Sequence, residues 1–310
     1  MKSKFTIRFI KQGLEKPNLN SFSKYLFAFV IMMGLAVLPS CDKDEVEEAG
    51  NIPGMGNAGG ELQVVEPFVE PDGFVIEEVR GVGEPATAAA QLAGSKGDLK
   101  SVAAVTTTRW GNYNSYGCGG RNIKIKLAIR NKRSYGRCLW LPRGCVFEVS
   151  DPSYQHGILA CWTPIWVNAN SIRHIILEVF CINQGKSGSN TNVTYRIKGV
   201  TKSLLMKKFL MRCNWRKINK EFYYGSSRDG MSSLKSMNSE DLEKYAELTD
   251  VLQDAIWTLT NGDGSLSEEQ IDYIESLPMM PADAYPEGLG EEGYTPPEDW
   301  SEYGVDVVNE

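Results

Sequence analysis

Histidine is nearly missing from this chain, with His156 and His174 alone among 310 residues. Neither has an obvious partner in sequence, which argues against a histidine-based metal centre or a charge-relay triad. The cysteines match no tight zinc spacing, and there is no nucleophile elbow, phosphate loop or paired-acid motif. We therefore expect no cofactor, no metal and no enzymatic activity. The Asn-Gly-Asp-Gly stretch at 261–264 looks like a calcium loop, but it lacks the ligands one needs. With Gly264 as the sixth position, Asn261 and Asp263 fill the third and fifth. The first is then Leu259 and the twelfth Gln270, so two carboxylates are missing. A turn between two helices fits better, with Ser267 and Gln270 forming a capping box on the second.

Long hydrophobic runs are also scarce. The one apolar stretch, Tyr25 to Leu38, follows Lys2, Lys4, Arg8, Lys11, Lys16 and Lys24 and is too short to span a bilayer comfortably. It suits the core of an export signal over residues 1–40. The following Leu-Pro-Ser-Cys resembles a bacterial lipobox, which makes Cys41 the expected site of lipidation. The acidic stretch after Cys41 resembles the signal that some Gram-negative lineages use to send lipoproteins to the outer face of the outer membrane. The expected location is thus the cell surface, on a lipid anchor.

Charge of one sign is scarce by region. Residues 101–220 hold 20 Lys and Arg against 3 Asp and Glu, whereas residues 42–100 hold 4 against 13 and residues 221–310 hold 3 against 22. A basic middle of this kind suits anionic polymers such as sulfated glycans. Arg121, Lys124, Lys126, Arg130, Lys132 and Arg133 are the candidate contacts, with Tyr113 and Tyr116 to stack on sugars. The alternative is that the acidic flanks fold back and neutralise it. Surface anchoring speaks against nucleic acid as the partner.

Composition divides the rest. Residues 41–100 are acidic and rich in Gly, Pro and Ala, which predicts a flexible tether with one strand-like island at 63–79, and residues 281–310 predict a disordered acidic tail. Between them, the alternation of Ile123, Ile125, Leu127 and Ile129 with Lys124, Lys126 and Arg130 predicts a half-buried strand. Further short strands are expected around 137–141, 145–149, 157–169, 173–182 and 192–200, separated by Pro, Gly, Asp and Ser turns. The expected fold is mainly β with appended helices (α+β): an Ig-like or β-sandwich domain over 101–200, then a helical segment over 201–280 packed on it. Helices are predicted after Thr201 with a stripe of Leu205, Phe209 and Cys213, over 240–260, and over 268–277.

Besides Cys41 there are six cysteines, Cys118, Cys138, Cys145, Cys161, Cys181 and Cys213. An exported domain would pair them in up to three disulfides, with 15 possible connectivities. Alternation puts Cys181 on the face of Ile175, Leu177 and Val179. Downstream, Gln253 lies one turn before Ile256 and Trp257 at the edge of an apolar helix face, where a buried amide needs a partner. An internal thioester would supply a covalent one. Phe180-Cys181 and Leu252-Gln253-Asp254-Ala255-Ile256-Trp257 resemble the two motifs of the internal-thioester domains of bacterial surface adhesins. The resemblance implies a Cys181–Gln253 thioester shielded by Phe180 and Trp257, a β-rich part with helices, and covalent capture of amines on host proteins. Cys181 in a disulfide with Cys161 or Cys213 stays open beside it. The functional expectation is an adhesion or binding module. The alternatives are a noncovalent binder of anionic glycans and a structural part of a surface assembly.

Overall fold

The computed structural model describes residues 47–83, 114–119, 122–220, 239–262 and 264–280. The expected export signal, Cys41, Arg121, Asp263, Tyr113 and the expected C-terminal tail lie outside them. The described part from Glu47 onward forms one compact unit.

Ten strands are described: β1 (Val64–Pro67), β2 (Phe74–Gly81), β3 (Asn114–Gly117), β4 (Ile123–Asn131), β5 (Arg137–Leu141), β6 (Cys145–Val149), β7 (Gly157–Ile158), β8 (Thr163–Val167), β9 (Ile172–Cys181) and β10 (Tyr195–Thr201). Three helices follow: α1 (Leu204–Arg212), α2 (Ser239–Asn261) and α3 (Glu268–Ser276). The fold is mainly β with appended helices, as the strand spacing predicts. Seven strands run β1-β10-β6-β7-β9-β4-β2, with β3 added in parallel against β9, while β5 and β8 form a separate ribbon. At its far edge β2 meets β10 again through an Arg80–Thr194 bridge, and Gly81 N–H donates to Val193 C=O at 2.9 Å. The large sheet thus curls towards closure, which covers edges that would otherwise invite pairing with another chain.

The alternation of β4 holds residue by residue: Ile123, Ile125, Leu127 and Ile129 are fully buried, and Lys124, Lys126 and Arg130 stand on the other face. β9 is buried on both faces from Ile175 to Cys181 and apolar there except for Glu178, with β4 paired along one edge and β3 and β7 sharing the other. Helix α1 stops at Arg212, and its inward stripe is Met206, Phe209 and Leu210, with Leu205 only partly buried. The turn after α2 leads into α3 through the expected capping box, Ser267 to Gln270. Asn261 is occupied there, accepting from Gln184 N–H at 3.2 Å.

The flexible tether expected over residues 41–100 does not hold for residues 47–83. This stretch is folded into the domain. β1 pairs with β10 and β2 with β4, and Ile52, Met55 and Leu62 are buried. Glu47 Oε2 accepts from Ser203 Oγ and Leu205 N–H, each at 2.9 Å. It supplies a negative charge at the start of α1, whose own first turn has none. The glycines mark tight turns here. Gly56 has φ +58°, and a Cβ there would fall 1.8 Å from Thr260 C=O, so the strap lies too close to the end of α2 for any side chain.

Candidate functional site

β9 ends at Cys181. Ile182 N–H donates to His156 C=O at 3.1 Å on the β7 side. Backbone alternation therefore turns the N–H and C=O of Cys181 to the other edge, just beyond Ile123, where β4 begins opposite Val179. Among the described residues no strand continues there, and a buried backbone edge needs partners. Gln253 supplies them from α2. Its Oε1 accepts from Cys181 N–H at 3.0 Å, and its Nε2 donates to Cys181 C=O at 2.8 Å. Both residues are buried, at 0 % and 3 % exposure. The helix edge that sequence periodicity assigns to Gln253 is thus the edge that meets β9, and the amide stands in for a missing strand residue.

The surroundings of the sulfur were not legible beforehand. Asn122 Nδ2 donates to Cys181 Sγ at 3.4 Å, from the residue just before β4. Tyr195 lies close by. Burial first, then the neighbouring Cys181 and Tyr154, push its hydroxyl pKa up. Phe180 is buried, but strand alternation puts it on the opposite face from Cys181. Trp257 is half-buried, and its indole N–H is enclosed without a hydrogen-bond partner among the described residues. The strap from Gly50 to Leu62 closes the end of β9. Gly56 N–H donates to Ile182 C=O at 2.6 Å, and Asn183 Nδ2 donates to the carbonyls of Gly54 and Gly56 at 3.2 and 3.1 Å.

Chemically, the arrangement presents an amide carbonyl to a buried backbone N–H, beside a thiol of the same residue. If Cys181 Sγ adds to the Gln253 amide carbon, the developing oxyanion sits on the oxygen that Cys181 N–H already contacts. The Asn122 amide would stabilise negative charge on the sulfur before attack.

The basic candidates lie elsewhere and are largely partnered. Lys126 pairs with Glu78 at 2.9 Å, Arg130 with Glu77 at 2.5 Å, and Arg133 with Asp72. All three acids come from the segment around β2, so the acidic flank does fold back on the basic strand. Lys124 faces Glu178 at 3.9 Å, and Glu178 also pairs with Lys220 in the interior. Burial lowers the Lys124 pKa, Glu178 opposes that, and Lys220 adds to it. Lys132 is exposed. Tyr116 Oη accepts from Arg173 at 2.5 Å, which engages one of the two proposed stacking rings.

Comparison with protein-family models, with curated proteins and with solved structures finds no match.

Proposed function

We propose that this protein is a lipid-anchored bacterial surface module that captures primary amines through an internal thioester between Cys181 and Gln253. The observation that carries this reading is the two-point contact of the Gln253 amide with Cys181 in the closed interior, across 72 positions of sequence. In the forming step the Cys181 thiol adds to the amide carbon, its proton passes to the amide nitrogen, and ammonia leaves. Cys181 N–H stays on the carbonyl oxygen throughout, while the contact from Nε2 to Cys181 C=O is lost with the ammonia. Exclusion of water then protects the acyl group. An incoming amine attacks the same carbon, an amide forms, and the thiol is regenerated. Host-protein amines are the expected targets, and Cys41 carries the anchor. The pairing of Lys126, Arg130 and Arg133 with carboxylates gives less support to capture of anionic glycans by charge.

The test is the intact mass of the full chain, since a fragment starting near residue 100 would lack β1, β2 and the strap. The wild type is expected to weigh one ammonia less than its disulfide-corrected formula and to gain methylamine. Cys181→Ala should show neither change. A wild type of full formula mass that ignores methylamine would overturn the thioester.

A further inference from the structure

A second group of sulfurs gathers away from Cys181. Cys118 directly follows β3, and its N–H donates to Glu178 C=O at 3.0 Å, which continues the parallel pairing with β9. Cys161 sits in the connection between β7 and β8. Its Sγ lies 3.0 Å from Cys118 Sγ, and both side chains are buried, at 6 % and 0 % exposure. Non-bonded heavy atoms ordinarily stay about 3.5–4 Å apart, so these two sulfurs are pressed together. Backbone holds the pair in place, because Ala160 N–H donates to Cys118 Sγ at 3.3 Å. Cys213, which caps α1, is the third member. Burial and then the neighbouring Cys118 push its thiol pKa up.

We propose that Cys118 and Cys161 form the disulfide of this domain, while Cys213 remains a buried thiol and Cys181 takes no part. The oxidant is an external disulfide, either a small molecule or a thiol–disulfide oxidoreductase. While the chain is still open, the Cys161 thiolate attacks that disulfide and releases one reduced thiol, forming a mixed disulfide. Cys118 then attacks Cys161 Sγ and releases the second. Both cysteine protons end on the released thiols, and two electrons pass to the oxidant. The bond closes a loop across 43 positions. It staples β3 to the β7–β8 connection, adding a covalent link to the short parallel pairing of β3 with β9. This assignment is independent of the thioester.

The experiment folds the full chain in a reduced and oxidised glutathione buffer, quenches it in acid, and blocks free thiols with N-ethylmaleimide. Digestion with trypsin leaves Cys145 and Cys161 on one peptide, so a glutamate-specific protease is added to cut after Glu148. A linked pair of Cys118 and Cys161 peptides is expected, with Cys213 alkylated and Cys181 absent from every disulfide. Alkylation of both Cys118 and Cys161, or linkage of either to another cysteine, overturns the proposal. Reductant should lower the melting temperature of the wild type by about 10 °C and leave Cys161→Ser unmoved. The thioester leaves a different mark, one ammonia rather than two hydrogens, so failure of either reading shows separately.

Discussion

Cys118 and Cys181 are both fully buried and lie on or against the same strand, yet they meet different partners. Cys118 Sγ meets another sulfur, whereas Cys181 Sγ meets the amide of Asn122 and its backbone meets the amide of Gln253. Burial alone does not decide what a thiol does. At Cys138 and Cys145 it pushes the thiol pKa up to about 12, which describes an inert side chain. At Cys118 and Cys181 the chemistry proposed for each rests on the partner across the gap.

That contrast breaks most sharply at Gln253. Gln253→Ala would leave the N–H and C=O of Cys181 buried and unpaired and would open a void. It should cost about 3 kcal/mol in chemical denaturation, with the Cys118–Cys161 linkage unchanged on peptide mapping. A cost below about 1 kcal/mol would mean that water or backbone movement replaces the amide.

Acid should loosen the Cys181 end selectively. His156 flanks the Gly157–Cys181 pairing, and its Nδ1 accepts from Val149 N–H at 3.0 Å, so the native ring carries its proton on Nε2. Burial, then the nearby Lys186, lower its pKa to about 4 from 6.5. Between these values the unfolded chain binds a proton that the folded chain refuses. This stability is therefore fully present above about pH 6.5 and is lost as the pH falls towards 4. The ring is only part-buried and solvent screens it, so the loss is about 1–2 kcal/mol. Hydrogen exchange should quicken first at Ile182 and Val149 over that range, and His156→Gln should flatten the dependence.

The smallest effect is expected at Asn122. Asn122→Ala removes the donor to Cys181 Sγ and should slow thioester formation roughly tenfold, the worth of one hydrogen bond of about 1.4 kcal/mol. Time-resolved intact mass would read this rate, and the melting temperature should barely move. An unchanged rate would reduce Asn122 to packing.

Legibility followed periodicity. β4 and β9 announce themselves because alternation and apolar runs are local properties of a half-buried and a fully buried strand. The end of α2 was legible too, since Ser267 and Gln270 cap within one turn of each other. Residues 63–79 stood out as a strand-like island and carry β1 and most of β2, but residues 47–62 were not legible, because Ile52, Met55 and Leu62 are isolated among glycines and acids and show no period. Their glycines read as flexibility when they in fact permit close approach, as at Gly56 against Thr260. Asn122 carried no signal at all, since its partner lies 59 positions away.

Sequence by itself determined which segments are strands and helices, which faces of them are apolar, and that Gln253 would need a partner if buried. These follow from side-chain spacing along one element. Only the tertiary structure decided that the partner is the backbone of Cys181, that Cys161 faces Cys118, and that acids before and on β2 neutralise the basic face of β4. Those pairings join residues tens of positions apart, and they arise because a buried edge, a buried thiol and a row of like charges must each find a complement from whatever element the fold brings beside them.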